Sequence, residues 1–176
     1  MVGRSGSGPP VAADEWLEAV TAGERRGELL TAFDLAERGL AGHPDDLRLK
    51  HKAVLALARA GSTEEASRRF EGYGLAGVQD EDVAALEARI AKDVALAARG
   101  ANRGRLARRS ADLYGAIHRR SGGYYPGVNE ATLRSIAGDA ERASKLATAV
   151  LEDLRRSSTT IRTSFMTRSE VRRSDQ

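Results

Sequence analysis

Two short stretches of this 176-residue chain carry side chains better suited to ligand chemistry than to packing. In the first, Val83, Leu86, Ile90 and Val94 recur at helical spacing, and at 100° per residue Arg89 and Asp93 flank that apolar stripe four residues apart. Lys92 falls nearly opposite the stripe. Arg89 and Lys92 could together meet an anionic group; without a ligand, Arg89–Asp93 is an ordinary helical ion pair. The second stretch is residues 122–139, GGYYPGVNEATLRSIAGD. Pro126 is expected to end the preceding helical pattern and fix φ for the turn, while Gly127 allows either φ > 0 or a close backbone approach. Val128 and Asn129 are then expected to open the next helix, with the Asn129 amide oxygen as its N-cap. A helix start with free N–H groups is an anion site, and a tyrosine face can stack a base. One of Tyr124 and Tyr125 should pack between helix pairs and the other present its hydroxyl outward. The same residues also read as a well-made turn.

Other candidates are weaker. Arg48, His51, Leu55 and Arg59 share one helix face, which reads first as a solvated charged surface. Arg99, Arg103, Arg105, Arg108 and Arg109 crowd the start of a helix, where cations oppose the macrodipole. A bound phosphate or acidic partner would account for them, as would plain solvation. The three histidines, His43, His51 and His118, are scattered, no metal-ligand spacing occurs and no phosphate loop of the Walker type is present. The chain holds no cysteine, which excludes disulfides and thiolate metal sites. The expectation is therefore no enzyme, no metal and no cofactor. No apolar run approaches the roughly 18 residues of a membrane span, and the N-terminus lacks a secretory apolar stretch, so the expected address is cytoplasmic.

The net charge of +3 hides a division. Residues 1–98 sum to −5, residues 99–120 to +6, residues 121–154 to −2 and residues 155–176 to +4. An acidic body thus carries one basic helix and a basic tail, which is poor material for the single broad footprint of a nucleic-acid binder.

The elements that must position these residues are helices. Ala, Leu, Arg and Glu dominate, and β-branched runs are almost absent before the tail. Glycine and proline punctuate regularly, suggesting a repeat of about 34 residues, the period of tetratricopeptide (TPR) helix pairs. With Trp16 at the repeat's aromatic fourth position, Ala32 falls on the small position and Pro44 on the terminal proline. One period on, Gly61 falls at the turn, Ala66 at the small position and Phe70 at the aromatic one. Gly138 and Asp139 again make a turn, followed by Ala143; Ser110 and Tyr114 fit the small and aromatic positions of the third pair. The expected fold is an all-α, TPR-like α-solenoid of about four antiparallel helix pairs, at roughly 14–42, 45–76, 80–120 and 127–154. The repeat domain should span 13–156, between an N-terminal tail (1–12) and a basic Ser/Thr/Arg-rich tail (157–176), both expected to be disordered.

Residues 88–93, ARIAKD, with residues 122–139, resemble the TPR-type sensor region, also described as the TRAF-binding region, of apoptosis signal-regulating kinases and its bacterial relatives in signalling and defence. The family pattern Gly-Arg-Ile-x-Lys-Asp meets Arg89, Ile90, Lys92 and Asp93 here. The pattern Tyr-Tyr-x-Gly-Ile-Asn-x-Ala-Thr-Leu meets Tyr124, Tyr125, Gly127, Asn129, Ala131, Thr132 and Leu133. Ala88 replaces the family's glycine, a change that would narrow a close approach or a ligand cleft, and Val128 replaces its isoleucine. The resemblance covers roughly residues 15–154. It implies a non-catalytic sensor or scaffold that recognises a nucleotide-derived signal or a protein partner and relays it to an effector. Arg89 and Lys92 would then neutralise phosphate, Asn129 would hydrogen-bond and Tyr125 would stack. The alternatives are a plain adaptor gripping a peptide in the concave groove, or a truncated remnant of a larger signalling protein.

Leu146, Ala147, Val150, Leu151 and Leu154 give the last helix an apolar face that a further pair would cover in a longer array. That face is expected to dimerise, meet a partner or receive the tail.

Overall fold

The structure is a computed structural model that describes residues 11–156. The expected tails lie outside it, apart from residues 11 and 12, which precede the first helix without regular structure. Eight helices account for the described chain: α1 (Ala13–Arg25), α2 (Leu29–Gly42), α3 (Leu47–Arg59), α4 (Thr63–Gly72), α5 (Glu81–Ala97), α6 (Ala101–Ser121), α7 (Tyr124–Ile136) and α8 (140–156). No strand occurs among the described residues. The chain divides between Val94 and Ala95 into two compact units.

In the first unit, α1 packs on α2, α2 on α3 and α3 on α4, with α1 also touching α3. Short turns between these helices force neighbours to run antiparallel. The turns share one device. Gly27 (φ 76°) ends α1 and Gly61 (φ 79°) ends α3. At these glycines the next amide reaches five residues back, Glu28 N to Gly23 O at 3.0 Å and Ser62 N to Leu57 O at 3.0 Å. That left-handed cap satisfies carbonyls the helix end would orphan, and only glycine adopts it without strain. The start of α3 is capped by Asp46, whose Oδ1 accepts from Arg48 N (2.9 Å) and Leu49 N (3.1 Å).

The repeat frame matches the packing. Ala32 and Ala66 are fully buried at the small positions, and Phe70 is buried at the aromatic one. Trp16 lies against Gly39, where an added Cβ would sit 3.0 Å from the tryptophan Cβ, so α2 lacks a side chain where the indole crosses it. Val54, Leu57, Phe70, Leu75, Val83, Leu86 and Ile90 form one continuous core, with Phe33 and Leu55 packed on it. Fully burying a side chain of this size contributes about 1.5–3 kcal/mol before entropy is counted.

In the second unit α6 packs on α7, and Ala107, Ser110, Ala111, Tyr114 and Ile117 give α6 its buried stripe. Gly122 (φ 65°) closes α6, and Gly138 (φ 83°) repeats the turn device, with Asp139 N reaching Arg134 O at 2.9 Å. The expected start of the fourth pair needs correcting: α7 begins at Tyr124, not at Val128–Asn129. Pro126 lies inside its first turn, where a missing N–H costs nothing and φ is already helical. A proline that reads as a stop is here part of a start.

Candidate functional site

The start of α7 carries the sequence motif. Its N-cap is Gly123 in extended conformation, and no side chain caps it. The turn is held from outside the helix: His118 Nδ1 lies 2.9 Å from Gly123 O, and Gly123 N donates to Ser121 Oγ at 3.2 Å. Asn129 is therefore not the N-cap. It lies in the second turn, where its Nδ2 donates to the Tyr125 carbonyl at 2.9 Å. Thr132 does the same one turn on, its Oγ1 donating to Val128 O at 2.8 Å.

Both tyrosines are more exposed than expected, Tyr124 at 60% and Tyr125 at 56%. The Tyr125 ring meets the buried Tyr114 edge-on, with centroids 6.3 Å apart and planes at 76°. That contact holds Tyr125 while leaving much of it to solvent. Pro126 and Gly127 are buried. Gly127 does not have positive φ, so its use is the close approach: an added Cβ would lie 2.7 Å from Val150 Cγ2 and 2.9 Å from His118 Cε1. Val150 is thereby covered, which takes the centre out of the apolar face expected on α8. Leu151 and Leu154 on that helix stay exposed.

On α5, in the first unit, Arg89 Nε lies 3.8 Å from Asp93 Oδ2, the pair that the spacing predicts. The Arg89 side chain is 38% exposed, yet its Nε is buried and has no hydrogen bond among the described residues. Its guanidinium thus combines an accessible end with an unsatisfied donor. Lys92 is half-buried, and Ala88 is fully buried where the resembling family has glycine. Each unit brings its own motif residues together, Arg89 with Asp93 in one and Tyr125 with Asn129 in the other.

The remaining candidates are engaged locally. Arg48 pairs with Asp14 (2.8 Å) and Asp46 (2.9 Å), and Leu55 packs on the core. Arg59 lies 3.9 Å from the buried Glu24, which pairs with Lys52 at 2.6 Å. Burial pushes the His51 imidazole below its ordinary value of 6.5, against the upward pull of Asp82, Asp80 and Glu24, with Lys52 adding to the lowering. His43 Nε2 lies 2.9 Å from Val11 O. The arginines of the basic helix are exposed; Arg108 donates to Ala137 O at 3.3 Å and Arg105 to Asn102 Oδ1 at 3.4 Å.

A buried charged cluster in the second unit went unread in the sequence. Glu130 and Arg134 on α7 are both buried, with Arg134 Nη2 3.3 Å from Glu130 Oε1 and 2.6 Å from Asp112 Oδ1. Arg142 approaches the same Glu130 oxygen at 3.6 Å. Gly115 makes the room: a Cβ there would lie 2.7 Å from the Glu130 carboxyl carbon. Burial disfavours the Arg134 charge most strongly, but Asp112 and Glu130 outweigh it and hold the guanidinium above its ordinary value. The one available signal was Gly115 in mid-helix with no break around it.

Among the described residues no group of histidine and acidic side chains could hold a metal ion. No helix there is long and apolar enough to cross a membrane. Helix pairs with buried small residues at their crossings and glycine-closed turns define a TPR-type repeat protein. The sequence model of the Tetratricopeptide Repeats-Sensor (TPR-S) family matches residues 28–134, and the chain belongs to that family. The matched span contains both the α5 and the α7 motif residues. Repeats of this type are generally non-catalytic and mediate protein interactions. No curated protein and no solved structure matches the chain.

Proposed function

We propose that this chain is a cytoplasmic signalling sensor that recognises a nucleotide-derived ligand and relays its presence to an effector. The observation that carries the reading is Tyr125, held edge-on by Tyr114 yet 56% exposed, at a helix start that no side chain caps. An aromatic face kept in place in solvent is disposed to stack a base at little entropic cost. The uncapped start, with the amides of Tyr124 and Tyr125, favours negative charge. Asn129 gives the same helix an amide. On α5, Arg89 offers the accessible end of its guanidinium and Lys92 a further cation, the chemistry that phosphate requires. TRAF-type partners and a bacterial setting are part of the same proposal, carried by the resemblance. The exposed Leu151 and Leu154 are the contribution of α8 to a partner contact or a dimer.

A thermal-shift panel of nucleotides, cyclic nucleotides and NAD derivatives tests the reading. One member should raise Tm, and Arg89→Ala and Asn129→Ala should each abolish the shift while leaving the unliganded Tm within a few degrees. A folded protein with no shift across the panel would sink it and leave a plain adaptor.

A further inference from the structure

The outer side of the α7–α8 hairpin inverts the usual placement of charge. α7 has two charged residues, Glu130 and Arg134, and both are buried. Its exposed residues, Tyr124, Tyr125, Val128, Thr132 and Ser135, are all uncharged. In a chain of which 30% is charged, an exposed helix face without a charge has the composition of an interface core.

α8 continues that face. Ala140, Ser144, Ala147, Leu151 and Leu154 are all exposed, and steps of four, three, four and three keep them on one stripe. That alternation is the seam of a two-helix coiled coil. Val150, which meets Gly127 of α7, lies on the neighbouring, buried stripe. The same contact runs α7 and α8 antiparallel about the Gly138 turn. At 100° per residue, Tyr124, Val128 and Ser135 then stand on the side of α7 next to the seam.

Two features choose the occupant. The first is a gradient of size. Ala140 and Ser144 lie beside the turn, Leu151 and Leu154 at the far end, and Ala147 at the midpoint. α7 is graded in the same sense, with Ser135 and Thr132 near the turn and Val128 and Tyr124 far from it. Two copies laid face to face and antiparallel set the large end of each on the small end of the other. The second feature is charge. Glu141, Lys145, Glu152 and Arg155 flank the seam on the side away from α7. An antiparallel pairing brings Glu141 of one copy opposite Arg155 of the other, and Lys145 opposite Glu152, each twice. A parallel pairing would oppose like charges.

We propose that a second copy of this chain covers the face, α8 lying antiparallel on α8 about a two-fold axis at Ala147. Leu154 then sits over Ala140, Leu151 over Ser144 and Tyr124 over Ser135. The dimer names the partner for the α8 contact of the sensor reading and rests on that contact alone, since it needs neither a ligand nor Tyr125.

The test is sedimentation equilibrium of the full chain, without ligand, over a wide range of concentration. The mass should rise from the 18.9 kDa of one chain towards twice that value and stop, because an isologous contact closes on itself. The face is smaller than the roughly 20–30 residues a side of a standard interface, so the association should be reversible. Leu151→Glu should keep the protein monomeric, with unchanged circular dichroism. Lys145→Glu should weaken the dimer about tenfold, and the swap Lys145→Glu/Glu152→Lys should restore it. The chain has no cysteine, so introduced ones report the register. Ala147→Cys should oxidise to a covalent dimer by itself, and Leu154→Cys only when mixed with Ala140→Cys. Monomer at every concentration would overturn the dimer and leave the face to residues 157–176 or to another protein. A dimer indifferent to Leu151→Glu would overturn the face, and ready self-linking of Leu154→Cys would overturn the antiparallel pairing. The two readings fail separately: the nucleotide panel can be flat while the mass doubles, and a ligand can raise Tm in a monomer.

Discussion

Gly127 shows how one missing side chain places a motif. Val150 Cγ2 and His118 Cε1 occupy the space a Cβ would take, and Val150 is buried and too short to swing aside. Gly127→Ala gains about 1 kcal/mol of helix propensity, but overpacking of this kind costs about 1–3 kcal/mol. The clash should win, lowering stability by up to about 2 kcal/mol in urea denaturation. The double substitution Gly127→Ala/Val150→Ala should regain part of that loss, since the smaller side chain vacates the space. Sequence reading reached the close approach at Gly127 but not its partners, because His118 and Val150 lie nine positions before it and twenty-three after. Asn129 was misread for a related reason. An Asn two positions after Pro-Gly matches an N-cap pattern, and only the backbone reveals that the helix had begun at Tyr124. Local spacing gave the Arg89–Asp93 pair and set Arg89 and Lys92 where they could meet an anion; the roles proposed for Tyr125 and Asn129 came from motif resemblance.

At the scale of elements, the helices were legible because their signals are local. The glycine turns at Gly27 and Gly61 and the small residues Ala32 and Ala66 recur 34 positions apart in the frame that starts at Trp16. The buried cluster of Glu130, Arg134 and Asp112 was not legible. Glu130 and Arg134 stand four apart, a spacing that exposed helical ion pairs share, and only Gly115 lets α6 come down over the carboxylate. The start of α3 offers a direct test of a local signal. Asp46 accepts two backbone amides and an Arg48 guanidinium contact at 2.9 Å, which hold its carboxyl below the usual carboxylate range, the arginine foremost. Asp46→Ala should cost about 1 kcal/mol at neutral pH, with Asp46→Asn retaining most of it because Asn caps nearly as well. Urea midpoints at pH 7 decide between them.

For the whole molecule, stability should depend on pH in two steps. Burial holds His51 below its ordinary 6.5, so the unfolded chain takes up a proton there while the folded chain stays neutral. Stability is then fully present above about pH 7 and falls as pH drops through 6.5. Asp46, Glu28 and Glu65, held below their ordinary values chiefly by hydrogen bonds from Arg48, Arg26 and Arg69, add a second loss in the acid range. Exposure and screening keep the share of Glu28 and Glu65 small. His51→Gln should flatten the profile between about pH 5.5 and 7 and leave the acid loss in place. Denaturation midpoints measured across pH 4–8 would show it. An unchanged slope in the variant would mean that another group titrates in that window.

The glycine-closed turns have a consequence for how the chain is made. The turns at Gly27, Gly61 and Gly138 are each sealed by a bond from the next amide to a residue five positions back, and α1 to α4 each pack on the helix just before or after them. Contacts so close in sequence form quickly, with little loop entropy to overcome. On a ribosome, α1 and α2 could close on each other while α3 is still being synthesised, and α3 would then find a finished surface waiting. The nascent chain would seldom expose more than one helix's worth of unpaired apolar surface, which limits the time in which it can aggregate.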